Sequence, residues 1–69
     1  MEQFLIVIEQ AAGNYSAYCP DLPGCIATGK TKKEVENNIR EAIAFHIDGV
    51  KKDGLPVPQP SSFTEYVEV

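Results

Sequence analysis

The sequence predicts an α+β domain of order β-β-β-α-β, a small antiparallel sheet covered by one helix. Three observations carry that expectation. The first third of the chain alternates short β-branched or aromatic runs with turn-forming residues. One long stretch beginning at Thr31 places apolar residues at helical spacing. After a proline-rich interruption, residues 62–69 alternate between apolar and polar.

Each element has its own local justification. Phe4 to Ile8 reads Phe-Leu-Ile-Val-Ile, apolar on both faces, which suggests a central strand over about residues 3–9. Gln10 to Asn14 breaks it with small and turn-forming residues. Tyr15 to Cys19 then returns as the second strand of a hairpin. Pro20-Asp21-Leu22-Pro23-Gly24 is a turn, because two prolines fix φ and Gly24 tolerates a positive one. Cys25 to Thr28 is a short third strand.

The helix, expected over about residues 32–53, is signalled at both ends. Thr31-Lys32-Lys33-Glu34 is a capping box. The Thr31 hydroxyl is expected to accept from the Glu34 N–H and the Glu34 carboxylate from the Thr31 N–H. Val35, Ile39, Ala42, Ile43, His46, Ile47 and Val50 form one apolar stripe. Glu36–Arg40 and Asp48–Lys52 are spaced as i, i+4 ion pairs. Lys51, Lys52 and Gly54 suit a helix C-terminus. Gly49 costs about 1 kcal/mol against alanine inside a helix, so it marks a close approach to a strand or another subunit. Leu55 to Pro60 cannot be helical and reads as a stiff spacer returning the chain to the sheet. Residues 62–68 complete the fold as a half-buried or edge strand.

Size and charge bound the function. Sixty-nine residues make one domain, residues 1–69. A chain this short buries only about 60% of its unfolded surface, so self-association as a homodimer or higher homo-oligomer is expected. The net charge of −4 opposes binding to a nucleic-acid backbone and favours a basic protein partner. Lys30, Lys32 and Lys33 cluster only at the helix start. The opening Met-Glu-Gln-Phe-Leu-Ile-Val-Ile-Glu-Gln lacks a basic leader and a long apolar core. A cytoplasmic, soluble protein with no membrane association is the expectation.

Three kinds of chemistry are weighed and set aside. Gly24 to Thr31 satisfies the phosphate-loop spacing G-x-x-x-x-G-K-[ST], which would use backbone N–H groups, Lys30 and Thr31 to hold a nucleotide. The four residues between its glycines look like a strand, however, and one helix cannot build the parallel sheet such a site sits on. Cys19 and Cys25 lie too far apart in sequence for a zinc pair, and His46 is the only histidine. The cysteines are therefore read as small core residues. The first strand is apolar from Phe4 to Ile8, between Glu2 and Glu9, and offers no carboxylates to a hydrolytic metal site. No enzyme activity, metal or cofactor is expected.

The run from Tyr15 to Pro60 resembles the N-terminal domain of HicB-type antitoxins. The likeness rests on Y-x-A-x-x-P-D-L-P-G-C at Tyr15 to Cys25, G-x-T-x-x-E at Gly29 to Glu34, the amphipathic helix, and G-x-P-x-P at Gly54 to Pro58. It implies a degenerate ribonuclease-H-like domain without that fold's catalytic acids. It also implies a protein-binding antitoxin that neutralises a small basic HicA-type toxin, an mRNA-cleaving ribonuclease. Full antitoxins of this type carry a C-terminal DNA-binding domain, and this sequence stops at Val69, so operator binding is not expected. The contact surface expected for the toxin is the loop Tyr18, Asp21, Leu22 and Pro23 with the acidic helix residues Glu34, Glu41 and Asp48. The alternatives are an orphan self-associating regulatory domain with no toxin partner and, more remotely, a nucleotide-binding protein using Gly24 to Thr31.

Overall fold

The computed structural model describes residues 3–69; Met1 and Glu2, including the acid that precedes the first apolar run, lie outside the described residues. Three strands, β1 (Val7–Ala11), β2 (Asn14–Tyr18) and β3 (Ile26–Gly29), are followed by one helix, α1 (Lys32–Lys52). The sheet is antiparallel in the order β1-β2-β3. The expected order of three strands and a helix is therefore present, but β2, not β1, is central. The reason is that no strand among the described residues pairs with the outer side of β1.

Register follows the turns. A two-residue connection places Ala11 opposite Asn14, and the ladder then aligns Ile8 with Ala17 and Ala17 with Ala27. That row faces the helix. The neighbouring row, Val7, Tyr18 and Ile26, faces the other way, because successive side chains on a strand alternate. β1 begins at Val7 and not near Gln3 because β2 ends at Tyr18. Pro20 has no N–H to offer a longer ladder, and the Cys19 N–H instead donates to the Cys25 carbonyl at 3.1 Å.

The helix packs against β3 and β2. Val35 and Ile39 are fully buried, and the other stripe residues, Ala42, Ile43, His46, Ile47 and Val50, are all half-buried. With Ala17, Cys19, Leu22 and Cys25 these two residues make the buried core. Each large side chain withdrawn from water there contributes about 1.5–3 kcal/mol.

Both helix ends are capped. The Glu34 N–H donates to Thr31 Oγ1 at 3.0 Å, as the capping box requires. The return bond differs from expectation: the Glu34 carboxylate accepts from the Lys30 N–H at 3.4 Å, one residue earlier than Thr31. At the other end the Gly54 N–H donates to Lys51 and the Leu55 N–H to Val50, which is a Schellman closure. Asp48 pairs with Lys52 at 3.2 Å, whereas Glu36 and Arg40 form no ion pair among the described residues.

Two expectations need correction. Residues 62–68 form no strand here: the chain from Gly54 onwards runs to Val69 without helix or ladder partner. Gly49 is not a point of close approach to a strand, since a Cβ there would meet nothing within 4 Å.

Candidate protein-docking surface

The turn after β2 is built on three short hydrogen bonds. Besides Cys19 to Cys25, the Leu22 N–H donates to the Cys19 carbonyl and the Cys25 N–H to the Leu22 carbonyl, each at 3.1 Å. Gly24 closes the turn at φ 81°, a conformation that a side chain would strain. This geometry drives Leu22 inward, with 0% of its surface exposed. Leu22 is therefore a core plug under the turn and not a contact residue, contrary to the sequence expectation. Cys19 and Cys25 are free and buried beside it. Burial and the neighbouring Cys19 raise the Cys25 thiol above its ordinary value, so it stays protonated.

Asp21 has a structural occupation that the sequence did not disclose. Its Oδ1 accepts from the Ser61 and Ser62 hydroxyls at 3.0 and 2.8 Å. Its Oδ2 accepts from their backbone N–H groups at 3.1 and 3.2 Å. The Ser62 hydroxyl and then its N–H do most to hold the Asp21 carboxyl below its ordinary range. The carboxylate thus fastens the β2–β3 turn to the segment after the proline spacer.

The phosphate-loop spacing dissolves into packing. A Cβ at Gly29 would lie 2.7 Å from the Val35 nitrogen and 3.0 Å from its Cα, so this glycine lets the end of β3 meet the helix backbone. Ile26 to Gly29 belongs to the ladder with β2. The free N–H at Lys30 already has a carboxylate on it, from Glu34. These groups hold the fold together and are not arranged as a cradle for phosphate.

The expected contact residues fall into separate places. Tyr18, 40% exposed, stands on the sheet face turned away from the helix, with Pro23 exposed at the adjoining turn. Glu34, Glu41 and Asp48 lie on the solvent side of α1, the opposite side of the domain. Glu34 is committed to the cap and Asp48 to Lys52. The structure does not merge the loop and the helix face into one surface.

What it adds is an apolar anchor among the acids. Phe45 is 83% exposed and follows Glu41 by four residues and precedes Asp48 by three, on one helix face. Beside it a groove of about 430 Å³ runs between the helix and the start of β3, lined by Ile26, Phe45, His46, Gly49 and Asp53. The sequence signal was available: Phe45 is a large aromatic residue outside the apolar stripe, where a helix ordinarily carries polar residues.

A family model described as the HicB-like antitoxin of bacterial toxin-antitoxin systems matches residues 4–69. The chain belongs to the HicB-like antitoxin family. This HicB-like chain is 39% identical over 62 residues to a UPF0150 protein of Thermoplasma acidophilum, covering 90% of each. It is 37% identical over 62 residues to an uncharacterised 14.9 kDa protein of the rep-hol intergenic region of Haemophilus phage HP1. That match covers 90% of this chain but 47% of the phage protein, so the HicB-like chain spans about half that relative's length. Among solved structures it resembles a chain of a HicA3 and HicB3 toxin-antitoxin complex, with TM-score 0.68 and 31% identity. The likeness covers 86% of this chain and 72% of that one. No helix among the described residues is long and apolar enough to cross a membrane.

Proposed function

We propose that this HicB-like chain acts in the cytoplasm as a non-catalytic antitoxin that binds and neutralises a small basic HicA-type ribonuclease. Family membership and the resemblance to a chain of a toxin-antitoxin complex support an antitoxin role. The observation that carries the docking mode is Phe45. An aromatic side chain this exposed, flanked by Glu41 and Asp48, has the make-up of an interface anchor. Such anchors supply most of the energy of an interface while surrounding charges steer the partner. The partner that fits is basic and offers an apolar pocket for the ring.

The test is a binding titration of a HicA-type toxin with the chain and with Phe45→Ala. Loss of an anchor of about 2 kcal/mol weakens binding about 30-fold. Adding salt slows association more than it speeds dissociation, because the acids act at long range. Unchanged affinity in Phe45→Ala would place the toxin elsewhere, and absence of any complex at low salt would remove the reading.

A further inference from the structure

The turn between β2 and β3 brings together the two thiols of the chain, both free. The ladder pairs Ala17 with Ala27 and Tyr18 with Ile26, so the next rung sets Cys19 opposite Cys25. The 3.1 Å bond from the Cys19 N–H to the Cys25 carbonyl closes that rung. Side chains alternate along each strand. Tyr18 and Ile26 are exposed on the face turned away from the helix, and Cys19 and Cys25 are both buried on the other. Opposed residues joined by such a bond keep their Cα atoms about 5.5 Å apart. A disulfide bridges Cα separations of about 4.4–6.8 Å, so the pair is within reach.

One of the two thiols has an approach from solvent. Cys25 lines the groove of about 430 Å³ beside Phe45, together with Gly24, Gly49 and Asp53. Cys19 is not among the described residues lining it. A small reagent entering the groove meets Cys25 first, with Cys19 on the next strand behind it.

We propose that Cys19 and Cys25 close into a reversible disulfide, with a low-molecular-weight disulfide as oxidant, and that the bond reshapes the groove beside Phe45. The Cys25 thiolate attacks one sulfur of the oxidant, forming a mixed disulfide and expelling a thiolate that takes up a proton. The Cys19 thiolate then attacks the Cys25 sulfur and expels the second thiolate. Two protein thiols lose two electrons and two protons, and one small disulfide becomes two thiols. Burial and the neighbouring Cys19 keep the Cys25 thiol protonated, so the exchange quickens as the solution becomes more alkaline.

The bond also moves its surroundings. Opposed Cβ atoms in a hydrogen-bonded pair stand about 5.5 Å apart. A disulfide draws them to about 3.8 Å, so the mouth of the turn must tighten. Leu22 is hydrogen-bonded to both cysteines, and Asp21 beside it holds Ser61 and Ser62. A bond closed against that tension is easily reduced, as regulatory disulfides are. Bond formation is independent of the antitoxin reading; its effect on toxin docking rests on that reading.

The full chain is equilibrated against graded ratios of oxidised to reduced glutathione, quenched in acid, denatured, alkylated and weighed by mass spectrometry. At high ratios it is expected to lose the mass of two hydrogen atoms and take up no alkyl group. Excess reduced glutathione reverses the change. Cys19→Ala stops at a mixed disulfide, whereas Cys25→Ala reacts about tenfold more slowly or less. The Ser61 and Ser62 amide resonances shift with the bond, and those of Glu9 and Gln10 stay in place. The oxidised chain binds a HicA-type toxin about tenfold more weakly than the reduced one. Two alkylatable thiols at every ratio overturn the proposal, as does a lasting mixed disulfide in the unaltered chain. A disulfide that forms only with loss of the native amide spectrum also overturns it, since the thiols would then meet only in unfolded protein. None of these three results touches the antitoxin reading. Equal toxin affinity of the two forms overturns the effect on the groove, whereas a reduced chain that binds no toxin refutes the antitoxin reading instead.

Discussion

Replacing Gly29 with alanine separates the packing account of the Gly24 to Thr31 segment from a nucleotide-binding one. The new Cβ would stand 2.7 Å from the Val35 nitrogen, 3.0 Å from its Cα and 3.1 Å from the Glu34 carbonyl carbon, where ordinary contact begins at 3.4 Å. All three neighbours are backbone, so no rotamer change relieves the overlap. Either the first turn of α1 or the end of β3 must move by several tenths of an ångström. Overpacking of this kind costs about 1–3 kcal/mol. Alanine recovers about 0.4–1 kcal/mol by restricting the unfolded chain, because Gly29 does not have a positive φ. The net expectation is a loss of about 1–2 kcal/mol. For a domain of this size that lowers the melting temperature by about 4–8 °C per kcal/mol. Thermal and urea unfolding followed by circular dichroism, at fixed protein concentration, reads it directly. Lys30→Ala is the control: its side chain is exposed, and a change within about 0.5 kcal/mol is expected. A Gly29→Ala protein as stable as the parent would refute the close approach. Heat of nucleotide binding that disappears in Lys30→Ala would refute the packing account of the segment.

Two further predictions follow from single residues. Gly49→Ala should stabilise by about 0.5–1 kcal/mol, since the site is helical with open space for a Cβ; destabilisation would mean another molecule approaches there. Asp21 has its pKa lowered in the folded state, so the stability it contributes is complete above the unfolded value and is lost as pH falls through the folded one. The Ser61 and Ser62 amide resonances should therefore titrate together below the ordinary carboxylate range, and Asp21→Asn should abolish that step. Titration at the ordinary value would show that the clamp is absent in solution.

Much of the helical part was legible because its determinants are local. The stripe from Val35 to Val50, the Thr31 cap and the Gly54 stop each act within a few residues, and each is found in place. The strands were legible as runs but not in their limits. β1 starts late because Pro20 ends its partner, a constraint imposed across the hairpin and not within the run. The site was harder to read. Leu22 looked like a surface turn residue because its neighbours are Asp21 and Pro23; only the three hydrogen bonds of the turn point it into the core. The grip of Asp21 on Ser61 and Ser62 spans some 40 residues and has no periodic signature. Residues 62–68 show the opposite failure: the alternation is real, but a strand exists only where a ladder forms, and this segment joins none among the described residues. Phe45 was visible as a break in the polar face, and its exposure turns that break into a candidate anchor.

The most direct test of the antitoxin account is a titration of RNA cleavage. A HicA-type toxin is mixed with increasing amounts of this chain and the remaining ribonuclease activity is measured. The account predicts that activity falls to zero at a fixed molar ratio, and that Phe45→Ala requires a large excess to do the same. Full cleavage at saturating amounts of a folded chain would contradict it.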